Sequence, residues 1–263
     1  MTFSFTQAEM AAQKVLKECG LRDPTEVGLR TLILGRKAFY NEQPMEGKDG
    51  DIVSVGNRSI ITINSNIPFD TRKRFAGAHE LGHYEMHRSL KPVFFDTEYD
   101  LLNWYRGGDH EIEANQFASE LLMPSYAFHS ECKAASRKFE PKVIDHLATR
   151  FQVSKTAAIL KFVQRGSHPA FAVYCKNNEM KWWKKSDDFY HFLQFKRDAP
   201  PPPTTVAAEY FTGKKTYTGD EAKQDIWKSD WFELGDNERD TPFFEYCMVI
   251  RSLNSTLSLI WEK

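Results

Sequence analysis

The sequence predicts an α+β protein built of more than one unit, and three observations carry that. Two β-rich runs between 51 and 64 are followed by apolar residues at helical spacing as far as 165. Gly166-Ser167-His168-Pro169 then breaks the pattern. Beyond it, short strand-like runs and clustered aromatic residues replace the helical spacing. The expected organisation is residues 1–130, a helical segment at 131–166, and a small α+β domain at 167–263. With ~150 residues as the usual domain size, a chain of 263 has room for one to two cores.

The elements follow in order. Thr6 and Glu9 are spaced as a capping box, Ala8, Ala11, Ala12, Val15 and Leu16 continue at helical spacing, and Gly20 marks the stop. Residues 45–50 are loop-like. Asp51–Val55 and Ser59–Asn64 flank Gly56-Asn57 and predict a hairpin. Pro68 and Asp70 open a helix that runs through about His87. Residues 88–109, with Pro92, Gly107 and Gly108, read as irregular. A helix over roughly 110–122 stops at Pro124, and two shorter helical patterns cover 141–150 and 155–165. Ala170–Cys175, a turn at Asn177-Asn178, and Met180–Trp183 predict a second hairpin. Pro200 to Pro203 form a spacer or loop. Phe244–Ile250 and Thr256–Trp261 predict the last strands.

Composition narrows the function classes. Lys+Arg is 35 and Asp+Glu is 36, a net charge of −1, which argues against a surface devoted to nucleic acid or anionic membrane. No apolar run approaches the ~20 residues of a membrane helix, so no membrane partner is expected. The first residues have neither a basic nor an apolar leader region, and a secretory signal is not expected. Cys19, Cys132, Cys175 and Cys247 lie far apart without a CxxC pair. That disfavours a disulfide scaffold and a cysteine zinc site, and suits a reducing cytoplasm.

The chemistry gathers in two helices. His79 and His83 are four residues apart, so on a helix both imidazoles point to one side, where they can share one zinc ion. Glu80 is rotated away from them, placed to act as a base rather than a ligand, as in HExxH metallohydrolases. Catalytic zinc takes three protein ligands and leaves a fourth position open. On the 110–122 helix, Ala114, Phe117, Ala118, Leu121 and Leu122 make the buried stripe. Taking ~100° per residue, Glu111 lies about 60° from its centre and Glu113 about 100°. Glu111 is therefore the better-aimed third ligand, with Glu113 and His110 as competitors. Asn115 shares the face of Glu111, suited to holding a ligand histidine by its second nitrogen. His87, one turn beyond His83, reads as a packing or surface residue.

Three runs, Arg74-Phe-Ala-Gly-Ala-His-Glu-Leu-Gly-His83, Glu111-Ile-Glu-Ala-Asn-Gln-Phe-Ala118 and Leu121-Leu-Met-Pro124, resemble the ImmA/IrrE family of metallopeptidases. The resemblance implies a gluzincin-like domain over about 1–130, with His79, His83 and Glu111 on the metal and Glu80 as catalytic base. It implies Zn2+, with Mn2+ as the alternative ion. It also implies a protein substrate: a helix-turn-helix repressor of XRE type, cleaved under stress so that stress or mobile-element genes are derepressed. Longer members carry a helix-turn-helix-like segment and a GAF-like sensor domain, matching residues 141–165 and the C-terminal part here.

Further expectations come from the residues. In the helical segment, Lys155, Lys161 and Arg165 could reach DNA phosphates, and Gln152 stands where a helix-turn-helix often has Gly. The competing reading is a helical hairpin used for packing. Trp182, Trp183, Phe189, Tyr190, Phe192 and Phe195 read as core. Ser59–Asn64 is the expected sheet edge for pairing with an extended substrate. The rival to the enzyme is a DNA- or ligand-responsive regulator whose metal site is structural or weakly active.

Overall fold

The computed structural model describes residues 3–56, 58–88, 93–95, 108–135, 138–191, 198–213 and 221–263. The fold is α+β. The chain divides into two compact units, Met1–Glu131 with His146–Ala158, and Cys132–Asp145 with Ile159–Lys263.

The first unit contains α1 (Gln7–Glu18), α2 (Leu29–Gly35), β1 (Phe39–Gln43), β2 (Gly50–Val55), β3 (Arg58–Asn64), α3 (Asp70–Met86), β4 (Val93–Phe95) and α4 (Asp109–Leu122). The capping box of α1 forms: the Glu9 amide donates to Thr6 Oγ1 at 3.2 Å and the Thr6 amide to Glu9 Oε2 at 2.9 Å. β2 and β3 pair antiparallel as the hairpin the sequence predicts; Asn57 of its turn lies outside the described residues. Most of 88–109, including Pro92 and Gly107, also lies outside them, but Val93–Phe95 adds β4 against β2.

The sheet order is β1-β3-β2-β4, so β3 is internal and the expectation of a substrate-binding edge at Ser59–Asn64 is wrong. β1 pairs with it in parallel, Phe39 opposite Ile60 through Gln43 opposite Asn64. The near-unbroken run Ile60-Ile61-Thr62-Ile63 suits a strand with a neighbour on each side.

Helices α3 and α4 pack closely. Leu81, Ala114, Phe117, Ala118 and Leu121 are all fully buried. Gly82 permits the approach, because a Cβ there would stand 3.1 Å from Phe117 Cδ1 and 3.3 Å from the Ala114 Cα. Glu120, buried on the same helix, accepts hydrogen bonds from Gln13 of α1, the Ser125 amide and the Ser125 hydroxyl. Its burial is thus structurally satisfied.

Three further helices follow: α5 (Ser125–Ala135), α6 (Lys142–Phe151) and α7 (Lys155–Arg165). Gln152, between α6 and α7, adopts φ +54°, the left-handed conformation a glycine would take there. Lys161 and Arg165 are buried, which corrects the expectation that they reach phosphates. They follow the buried Ala158 by three and seven residues and so share its side of α7.

The second unit holds β5 (Phe171–Lys176), β6 (Glu179–Lys185), α8 (Val206–Thr212), β7 (Glu221–Trp227), α9 (Lys228–Trp231), β8 (Pro242–Ile250) and β9 (Ser255–Glu262). Its sheet is antiparallel, in the order β6-β5-β9-β8-β7. Asn177 and Asn178 turn the β5–β6 hairpin with φ +53° and +63°, the pair of positive values a type I′ turn needs. Phe171, Val173, Phe189, Trp231, Phe232, Phe243 and Ile260 form the core. Of the six aromatic residues expected there, Trp182 and Phe189 are buried, while Trp183 and Tyr190 are 48% and 77% exposed. Phe192 and Phe195 lie outside the described residues.

Candidate metal centre

The centre sits where α3 meets α4. His79, Glu80 and His83 are buried on α3, and Glu111 is half-buried in the first turn of α4. His79 Nε2 and His83 Nε2 are 3.0 Å apart. Glu111 Oε2 is 3.1 Å from His79 Nε2, and its Oε1 is 3.5 Å from His83 Nε2. Zinc–nitrogen bonds of about 2.0–2.1 Å in a tetrahedron set neighbouring donors about 3.3 Å apart. The three spacings bracket that value, so the residues fit a zinc-sized cation.

The outer nitrogens of both rings explain why Nε2 is the donor on each. Asn115 Oδ1 accepts from His79 Nδ1–H at 2.6 Å, in the role its place on the face of Glu111 leads one to expect. On the other side, Glu113 Oε2 accepts from His87 Nε2–H at 2.9 Å. His87 Nδ1 is then an acceptor, and His83 Nδ1–H donates to it at 2.9 Å. Both ligand-candidate histidines therefore carry their proton on Nδ1 and turn an Nε2 lone pair towards Glu111. Burial pushes His87 below the usual imidazole value against the pull of Glu113. The hydrogen bond from His87 holds the Glu113 carboxyl below the usual range. A neutral His87 beside an ionised Glu113 is the state this relay requires.

Of the two readings of His87, packing or surface, the structure shows the buried one: it is 3% exposed and tied to His83 and Glu113. The signal was present in the equal spacing of His79, His83 and His87, which puts three imidazoles along one side of α3. Glu113 and His110, the competitors for third ligand, face His87 instead, with His110 Nδ1 3.5 Å from Glu113 Oε2.

Glu80 lies against β2. A Cβ on Gly50 would come within 3.0 Å of Glu80 Oε1 and 3.1 Å of its Cγ. The absence of a side chain at Gly50 makes room for the carboxylate.

The IrrE N-terminal-like domain, the family Peptidase_M78, matches residues 37–162. Over these residues the chain is similar to the ImmA/IrrE family. The match takes in α3, α4 and every residue of the cluster, and the ImmA/IrrE domain is of metallopeptidase type. A metal ion goes with that type, and His79, His83 and Glu111 are a group able to hold one. A search among curated proteins finds no match. A solved structure of a Mycobacterium tuberculosis transcriptional regulator is similar over 97% of this chain and 75% of its own, with a TM-score of 0.63 and 16% identity. That likeness shows the fold. Among the described residues no helix is long and apolar enough to cross a membrane.

Proposed function

We propose that the chain is a cytoplasmic zinc-dependent endopeptidase, with manganese as the alternative ion, acting on a helix-turn-helix repressor of XRE type. The observation that carries this reading is the convergence of His79 Nε2, His83 Nε2 and the Glu111 carboxylate beside a buried Glu80. A zinc ion held there supplies Lewis acidity towards a scissile carbonyl and towards water. Glu80 accepts a proton from the attacking water and returns it to the leaving amine nitrogen. Asn115 and His87 keep the two imidazoles in the ligating tautomer throughout. A purely structural metal site has no use for a buried carboxylate such as Glu80, which favours the enzyme over the regulator reading.

With β3 internal, we assign the pairing of an extended substrate to the outer edge of β4, next to the strand that carries Gly50. The second unit serves as a GAF-like sensor that governs cleavage, and loss of the repressor releases stress or mobile-element genes. The test is a cleavage time course of the zinc-loaded chain with the repressor encoded beside it and with unfolded casein. The expected result is one cut in the repressor and intact casein. Rapid degradation of casein would leave a general peptidase.

A further inference from the structure

A second set of donors lies one turn further along α3. We propose that His87, His110 and Glu113 form a second divalent-metal site, weaker than the first and antagonistic to it. The inference rests on reading His79, His83 and Glu111 as the first site. Glu113 Oε2 is 2.9 Å from His87 Nε2 and 3.5 Å from His110 Nδ1. The two rings stand 4.5 Å apart between centroids at 47°. All three ligand atoms fall within 4.8 Å of one another. Two imidazoles and a carboxylate are the same donor set as the first site, and they suit zinc and other borderline divalent ions rather than calcium or magnesium.

The second site is the weaker for physical reasons. His110 and Glu113 have side chains 42% and 41% exposed, so binding must immobilise them.

The antagonism follows from proton positions. With only the first site filled, His87 Nδ1 accepts from His83 Nδ1–H across 2.9 Å. A cation on His87 Nε2 displaces the proton there, and a neutral ring then carries it on Nδ1. Two N–H groups would face each other at that contact. One ring must turn, and His83 loses the hydrogen bond that orients its Nε2. Glu113 is also drawn from hydrogen-bond acceptor to ligand. Losing one buried hydrogen bond is worth roughly 3- to 10-fold in affinity, so filling either site should weaken the other by about that factor. At high zinc the second site therefore acts as a brake on the first.

The experiment measures zinc bound per full-length chain after dialysis against chelator-buffered zinc over a wide range of free concentration. The wild-type chain should bind one ion tightly and a second at higher zinc. His110→Ala should keep the first ion and lose the second. His79→Ala should lose the tight first ion and bind at the second site roughly 3- to 10-fold more tightly than wild type does. A wild-type chain that never exceeds one ion, or a His110→Ala chain that still binds two, overturns the second site. A second-site affinity that His79→Ala leaves unchanged overturns the antagonism. If His79→Ala keeps the tight ion, the reading of the first site fails, and the His110→Ala arm reports on the second site independently.

Discussion

Each unit sets a carboxylate among polar groups, half-buried Glu111 in the first and buried Glu245 in the second, to opposite ends. In the second unit, Glu245 on β8 is fully buried and surrounded by donors: Ser258 Oγ at 2.5 Å and the Val206 amide at 3.0 Å. Burial pushes its carboxyl up to about 7 in spite of these bonds. It closes its own hydrogen bonding and stitches α8 to β8 and β9. In the first unit, Glu111 and the inner nitrogens of His79 and His83 are acceptors that face one another, while their outer atoms are held by other groups. Acceptors gathered round one point need a cation; a carboxylate ringed by donors does not. Burial alone therefore does not mark a functional group. The complement of the atoms facing it does.

The largest break in this comparison comes from removing a ligand. His83→Ala or Glu111→Ala should weaken metal binding beyond the ~100-fold that loss of an outer hydrogen-bond partner can cost. Elemental analysis of purified variants checks it. A Glu113→Ala chain that loses the tight ion while Glu111→Ala keeps it would reassign the third ligand.

A smaller effect separates the base from the metal. Gly50→Ala places a Cβ 3.0 Å from Glu80 Oε1 and 3.1 Å from its Cγ, and Ile63 Cδ1, at 3.2 Å, blocks the other escape. Glu80 must give by a few tenths of an ångström, so cleavage should fall with metal content unchanged, by less than the roughly 100-fold that a misplacement of about 1 Å costs. The readout is turnover alongside zinc stoichiometry.

The smallest effect lies in the second unit, and its sign is opposite. Because the folded-state value of Glu245, about 7, stands above the ordinary 4.5, the fold retains a proton that the unfolded chain has released. Its stabilising effect is complete below pH 4.5 and is lost as pH rises towards 7. Glu245→Gln should therefore raise stability at neutral pH by about 1–3 kcal/mol and leave it nearly unchanged in acid. Thermal melting of both proteins against pH reads this directly.

Much of this contrast is legible in the sequence where the physics is local. Caps, turn residues and helical spacing mark α1, α3, α4 and the β5–β6 hairpin, because each depends on neighbours a few positions away. His79, His83 and the aim of Glu111 follow from the same periodicity. What escapes is long-range. Nothing in Ser59–Asn64 alone says that residues 39–43 return to flank it in parallel. The near-continuous apolar run was the hint of an internal strand, outweighed by the analogy of a substrate-binding edge. Lys161 and Arg165 were misjudged because charge usually signals solvent, yet both lie on the buried side of α7. His87 reads as a packing or surface residue from its own helix alone, because its partner Glu113 stands on another helix, 26 residues away.

The central claim is that a buried Glu80 serves a metal held by its neighbours without holding it. Glu80→Gln tests this most directly, with zinc content and repressor cleavage measured on the same preparation. The account predicts one tightly bound ion per chain, as in wild type, and cleavage reduced on the order of 10²- to 10⁴-fold, the usual contribution of a positioned proton-transfer group. Undiminished cleavage by the zinc-loaded variant would contradict it.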